Sequence, residues 1–568
     1  MNLLLLAPGK QSFMAQPNKK KKTVPVKKQP QNTFSVNPEY LGYFFLGIIL
    51  LTVAIIRIRL LSFPLERDEG EYAYFGQLIL QGIPPYKLAY NLKLPGTYYS
   101  YALIMSVFGQ TDSGIRFGLL LFNLGSITFL YFIGKKLFNI FTGATAAAFF
   151  AILSISPSFL AQAAHATHFV TFYALGGTFL LILAQEKKSS LIFLFSGLMM
   201  GLAFIMKQSG LFFSFFGGLM ILVWYFSHED RKIAKTLLNL AMYGAGVVIP
   251  FIVVVVVMKM SGVFEKFWFW TMTYPGTYGS RIPVSQAGDY FILAFKSIFS
   301  HFSLPWITAG LGLVVLAFYP KKGGSRLFAL IFFFFSFLPV VPGFYFRSHY
   351  FIPFLPAVGL MAGIFFDFLN QKVGPQFKQI GILTGGAVLL FMIIGLNKEK
   401  DFYFNGDPVM LCKMVYQTNP FAESPAIAKY LNANTTEKDN ILVLGSEPQI
   451  CFYAKRHSAT GYIYMYDLVF NHPKVKEMQN EMLMEAGRSK PKFIVFANVK
   501  FSWIGEPHLG DTIIKWTNSY LQANHYKLTG IVDIAPYQPS EFVWNDAVFS
   551  YKPKNENTIS IFRREDIK

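Results

Sequence analysis

From residue 40 to about 396 the chain alternates long apolar runs with short polar connectors carrying lysine and arginine. A hydrocarbon layer of roughly 30 Å is crossed by about 20 apolar residues in a helix. The runs at 40–61, 113–131, 141–160, 169–183, 191–205, 211–226 and 237–258 reach or approach that length. Further runs centre near Leu304, Leu327, Tyr350 and Ile380. The pattern therefore predicts a polytopic α-helical membrane protein with about eleven spans.

Basic residues in the connectors orient those spans. Lys19 to Lys22, Lys27 and Lys28 precede the first run, so its N-terminus is expected in the cytoplasm, and residues 1–39 read as a disordered basic tail. The apolar stretch Leu3 to Leu6 is too short for the core of a signal peptide, and Met14 is an equally good start. Lys135 and Lys136, Lys187 and Lys188, Arg231 and Lys232, Lys321 and Lys322, and Lys372 and Lys378 then all fall on the cytoplasmic side. Arg57 and Arg59 oppose the rule from the outer end of the first run, either snorkelling to the interface or holding an anion. An odd span count puts the first long connector, 62–96, and everything after about residue 397 outside a plasma membrane crossed many times.

The pattern changes after residue 397. Runs at 441–445, 493–497 and 528–534 read as strands, with helices at 473–486 and 512–523 between them, so 397–568 is expected to be an extracytoplasmic α/β domain. Its Ile-Leu-Val-Leu-Gly run at 441–445 resembles the first strand of a nucleotide fold, but no GxGxxG follows and no cofactor site is expected there.

Composition agrees with the membrane reading: 53% of the 568 residues are apolar, more than one soluble core of this length absorbs. The net charge of +20 would suggest nucleic acid in a soluble protein, but here the basic residues lie in membrane connectors and no nucleic-acid partner is expected. Cys412 and Cys451 both lie in the C-terminal third, either as one disulfide or as two buried thiols.

The candidate chemistry lies in the first outer connector. Glu66, Arg67, Asp68, Glu69 and Glu71 cluster beside an apolar span and lead into an amphipathic stretch at 72–80, in a half of the chain otherwise poor in acids. Charge held at a membrane edge marks a functional site by default. The order continues through Gly82, Pro84, Pro85 and Tyr86 to Lys93, Leu94, Pro95 and Gly96.

This order resembles the first extracytoplasmic loop of the GT-C membrane glycosyltransferases, the superfamily of the protein O-mannosyltransferases and lipid A aminoarabinose transferases. Asp68 with Glu69, Gly82, Lys93 with Pro95, and Arg116 match its Asp-Glu pair, Gly-aromatic turn, Lys-Pro-Pro element and following arginine in turn. Lys207 in MKQSG and the stretch Arg347 to Pro356 resemble later landmarks, so the likeness runs from about residue 40 to 395. The chain departs from the family at Leu94, and in offering His165 and His168 where some members carry a second acid. The resemblance implies transfer of a sugar from a polyprenyl-phosphate carrier to an acceptor hydroxyl of a lipid, glycan or protein on the outer face.

The residues support a role for each group. A sugar phosphate leaves as a stabilised anion, so one base and fixed cations form a minimal apparatus, with no metal or other cofactor expected. Asp68 is the expected base of an inverting single displacement, or alternatively an ion-pair partner of Arg67 or a helix cap. Glu69 is expected to orient substrate or pair structurally. Lys93, Arg116, Lys207 and Arg347 are candidates for the lipid phosphate. Tyr72, Tyr86, His165, His168, Tyr345 and His349 are candidate substrate contacts, the first two histidines being three apart and so expected on one helical face. Two other readings fit a many-spanned chain: a transporter or flippase of lipid-linked glycans, and a non-catalytic assembly protein. The first would also need outward cations but more often shows paired halves and helices broken at mid-membrane, and the second would not require this order of acid then cation.

Overall fold

In a computed structural model the protein is described over residues 37–227, 232–319, 323–373, 376–377 and 379–565. The basic tail, and the connector residues Arg231, Lys321, Lys322 and Lys378, lie outside the described residues.

The chain begins with helix α1 (Pro38–Arg59), capped by the Asn37 side chain, with proline at its first position. The first outer connector then forms α2 (Arg67–Leu80), which packs on the helix Gly96–Phe108 instead of looping freely. Its start is a capping box: Glu66 accepts from the Glu69 backbone, and the Glu69 side chain from the Glu66 backbone. Glu66, and not Asp68, is therefore the cap, which leaves the Asp68 carboxylate available. Gly82, at φ 78°, ends this passage in a conformation that side chains disfavour. Helices α3 (Gly96–Phe108), α4 (Asp112–Leu137), α5 (Ile140–Leu153), α6 (Ala166–Lys187) and α7 (Ser190–Met206) follow.

Seven helices among the described residues are long and apolar enough to cross a membrane, or eight if the pair Val284–His301 and Leu304–Leu316, bent by 109°, is one span. The sequence expectation of about eleven counted apolar runs. The runs at Ile140–Leu153, Ser190–Met206 and Gly324–Val340 form shorter apolar helices. Arg57 and Arg59 neither snorkel nor await an anion. Arg57 is buried and donates to Asn123 Oδ1 at 2.8 Å and the Ser154 carbonyl at 2.8 Å, while Arg59 donates to the carbonyls of Phe402 and Gly406.

The C-terminal part is built around a mixed sheet of β1 (Ile441–Leu444), β2 (Phe493–Asn498), β3 (Tyr526–Asp533), β4 (Glu541–Trp544) and β5 (Thr558–Arg564). The strand order is β1-β2-β5-β3-β4, with β1 and β2 parallel and the remaining pairs antiparallel. Strands β4 and β5 are additional to the three runs read from the sequence. Cys412 and Cys451 are two buried free thiols and form no disulfide.

Helix Pro448–Ala454, just after β1, packs directly on α2. Gly70 makes this contact possible: a Cβ there would lie 2.6 Å from the Gln449 backbone nitrogen. The acids of the first connector are thus held from one side by membrane helices and from the other by the sheet-containing part.

Candidate active site

The first turn of α2 sends its acids in different directions. Glu71, fully buried, receives Lys93 Nζ at 2.6 Å and the Tyr98 hydroxyl at 2.6 Å. Lys93 also lies 3.0 Å from Asp68 Oδ1, and 4.7 Å from the ring centre of Tyr72. Two carboxylates around one ammonium fix its charge, so Lys93 stays well above the ordinary lysine range despite burial. For Asp68, burial pushes the carboxyl up, but the charge of Lys93 and then of the groups beyond it outweighs this and holds it well below the usual range.

Asp68 stands between two cavities. One, of about 110 Å³, is lined by Lys93, Lys207 and Arg347 together with Tyr72, Gln208 and Tyr464. The other, of about 350 Å³, is lined by Glu66, Arg67, Ser348, Tyr416, Asn419 and Phe421. Asp68, His165, Arg347, His349 and Tyr466 line both. The imidazoles of His165 and His349 stack with centres 4.1 Å apart, and each approaches Asp68 Oδ2, at 3.9 and 4.0 Å. Both nitrogens of His165 and Nδ1 of His349 are buried without a hydrogen-bond partner. Buried polar atoms of this kind call for a ligand. Burial holds His165 neutral, its imidazole lowered to about 3.

Lys207 sits in the break after α7, with its Nζ 3.6 Å from the ring centre of Tyr350. Among the described residues it has no ion pair, and burial, with Lys93 and Arg347 nearby, lowers its ammonium to about 7 against the pull of Asp68. The carboxyl of Glu66 is driven up to about 8 by burial and by the charges of Asp68 and Glu69.

Several expected site residues lie elsewhere. Arg116 lines neither of these cavities: it is buried in an ion pair with Glu69 at 2.7 Å and donates to the carbonyls of Phe63, Pro64 and Gln162. Glu69, fully buried, also accepts from the Ala164 backbone at 2.6 Å, so this pair ties α2 and α4 to the chain before α6. His165 is the residue before α6 and lines both cavities, whereas His168, inside the helix, lines neither. The His168 ring lies 3.1 Å from the Ala161 carbonyl. Tyr86 is buried and donates to the Lys93 carbonyl at 2.7 Å, supporting the lysine from behind. Tyr345 packs near Arg347, 5.5 Å from ring centre to guanidinium, outside both cavities.

The sheet-containing part supplies Tyr464, Tyr466 and Asp467, which sequence reasoning missed. The Tyr464 hydroxyl lies 3.2 Å from Asp68 Oδ1, a contact between residues 396 positions apart. The tyrosine-rich run 462–466 was the available signal.

Asp68, His165 and His349 also offer ligand atoms within 4.8 Å of one another, and two imidazoles with a carboxylate suit zinc or manganese. Asp68 Oδ2 is the oxygen near both imidazoles, while Lys93 occupies Oδ1 and Lys207 and Arg347 line the same cavity, a charge that also suits an anion.

Residues 93–258 match the model of the dolichyl-phosphate-mannose-protein mannosyltransferase family. None of the curated protein sequences matches the chain. Among solved structures it is similar to ArnT from Cupriavidus metallidurans in the apo state, with TM-score 0.56 and 15% identity over 90% of this chain and 100% of that one. The same protein bound to undecaprenyl phosphate gives TM-score 0.53 and 15% identity, over 93% and 98%. The archaeal oligosaccharyltransferase AglB from Archaeoglobus fulgidus, in complex with an inhibitory peptide and a dolichol-phosphate, gives 0.54 and 11%, over 91% and 75%. At these identities the likeness is one of fold.

Proposed function

We propose that this chain is a multi-pass membrane glycosyltransferase of the GT-C kind that moves a sugar from a polyprenyl-phosphate donor to an acceptor hydroxyl, with Asp68 as base, a reading supported by the family match over residues 93–258 and the likeness of fold. The observation that carries this reading is the position of Asp68 where two adjoining cavities meet, one of them lined by Lys93, Lys207 and Arg347.

The donor phosphate occupies the first cavity, where Lys93, Lys207 and Arg347 supply fixed positive charge. The acceptor hydroxyl enters from the second, beside Asp68 Oδ2 and the unpartnered nitrogens of His165 and His349. Its oxygen attacks the anomeric carbon while its proton passes to Asp68. The carbon–oxygen bond to phosphate breaks, and the electron pair leaves with the polyprenyl phosphate, which the three cations receive. A single displacement inverts the anomeric centre. Because the leaving group is already an anion, the reaction requires no strong acid, and no cofactor or metal is assigned to it.

The same reading places Asp68 on the outer face. Glu39 pairs with Lys135 at 3.1 Å and Lys136 with Glu186 at 2.6 Å, so the start of α1 and the ends of α4 and α6 lie on one side, and the lysines there support reading it as cytoplasmic. Asp68 lies beyond the other end of α1, and the chain divides near residue 397 into membrane and extracytoplasmic parts. Mass spectrometry of lipid-linked sugars and surface glycans, in cells with the gene, without it, and with Asp68→Asn, tests the assignment. Loss of one glycan with accumulation of its lipid-linked donor in the last two supports it, and unchanged profiles contradict it.

A further inference from the structure

The base proposed above is held from the C-terminal part of the chain as well as from the membrane part. Asp68 Oδ1 receives Lys93 Nζ at 3.0 Å, and the hydroxyl of Tyr464 lies 3.2 Å from that oxygen and 3.2 Å from the carbonyl of Arg67, its two acceptors in this turn. Oδ2 has neither donor and faces the two histidines. The phenol is itself buried, with Lys93 Nζ 5.8 Å from its ring centre, so the ammonium lies between Tyr72 and Tyr464.

The segment carrying Tyr464 is pinned on both sides. Before it, the Gly461 backbone donates to Glu485 Oε2 at 2.9 Å, and the Tyr462 hydroxyl to Glu481 Oε2 at 2.6 Å. After it, the Met465 backbone donates to Ser446 Oγ at 3.0 Å, and Asp467 accepts from Tyr274 at 2.8 Å and Arg281 at 3.2 Å. The Ser446 carbonyl in turn accepts from Arg67, the neighbour of Asp68. A hydroxyl held this firmly imposes an orientation on its acceptor at little entropic cost.

We propose that Tyr464 is a positioning residue for Asp68: with Lys93 it occupies Oδ1, turning Oδ2 toward the acceptor cavity as the oxygen that takes the proton. The sheet-containing part thereby completes the catalytic centre. The inference rests on Asp68 being the base, but the coupling of the two side chains can be measured without turnover.

The test uses the full chain in lipid nanodiscs. Infrared difference spectra between acid and neutral pH, with Asp68→Asn subtracted, isolate the Asp68 carboxyl. A hydroxyl that donates to a carboxylate stabilises the ionised form, so Tyr464→Phe should move the titration midpoint up by about one pH unit. Difluorotyrosine at 464, a stronger donor, should move it down. Tyr430→Phe, which removes a hydroxyl from the sheet-containing part away from both cavities and from the segment that carries Tyr464, should leave it in place. An unmoved midpoint in the two Tyr464 variants, or equal shifts in Tyr464→Phe and Tyr430→Phe, overturns the proposal. If Tyr464→Phe fails to fold, the difluorotyrosine shift decides alone. Normal turnover in Asp68→Asn would remove the base reading while leaving the midpoint result standing.

Discussion

Lys93 Nζ lies 3.0 Å from Asp68 Oδ1 while also touching Glu71, so the cation nearest the proposed base is shared with a fully buried acid. The arrangement explains how a lysine lines the cavity without being neutralised by burial: two carboxylates hold its charge, and Tyr98 holds the second oxygen of Glu71.

Lys93→Met should therefore do two separable things. It leaves the Glu71 carboxylate buried and without its cation, at a cost of about 3–5 kcal/mol of stability, and it weakens donor binding. Adding Glu71→Gln should restore much of the thermal stability but not the affinity for undecaprenyl phosphate. Equilibrium binding beside a melting curve checks this, and affinity that returns together with stability would make Lys93 merely structural.

With Lys207 at the proposed phosphate site, donor binding should depend on pH. Its ammonium is charged below about 7 and loses its proton above, and a bound anion stabilises the charged form, so its contribution is present at low pH and disappears as pH rises through and beyond that value. The difference in undecaprenyl phosphate affinity between wild type and Lys207→Met should be about tenfold near pH 6 and should vanish toward pH 9. Comparing the two proteins cancels titration of the phosphate itself. A difference that does not vary with pH would contradict the placement of this lysine at the phosphate.

Chelation tests the choice of cations over a metal. Prolonged treatment with a strong chelator should leave turnover and melting temperature unchanged, because Lys93, Lys207 and Arg347 carry the charge that a metal would otherwise supply. Activity that is lost on chelation and restored by zinc or manganese would assign Asp68, His165 and His349 as ligands.

Much of this site was legible along the chain, and what was not has physical causes. Asp68, Lys93, Lys207 and Arg347 stand in the order in which the fold uses them, and all four line one cavity. Arg116 was read as a phosphate ligand because an arginine after an outer loop offers no sign of its partner. The fold turns it onto Glu69 at 2.7 Å, a contact only the packing of α2 against α4 creates. Of His165 and His168 only the first lines the cavities, because the second turns to the Ala161 carbonyl, a contact that their spacing does not encode. Strands β4 and β5 carry half-exposed polar residues and lack the apolar runs that marked β1 and β2. Tyr464 reaches Asp68 through tertiary packing alone, and no local pattern encodes that contact.

The central claim is tested most directly by Asp68→Asn beside Glu69→Gln, each purified with donor and acceptor, following turnover and the anomeric configuration of the product. The account predicts that Asp68→Asn lowers turnover by about 10²- to 10⁴-fold, the range for loss of a general base, while binding of undecaprenyl phosphate persists. It predicts that Glu69→Gln acts mainly through stability, since Glu69 is fully buried against Arg116, and that the wild-type product is inverted. Near-normal turnover in Asp68→Asn, or a product retaining the donor configuration, would contradict it.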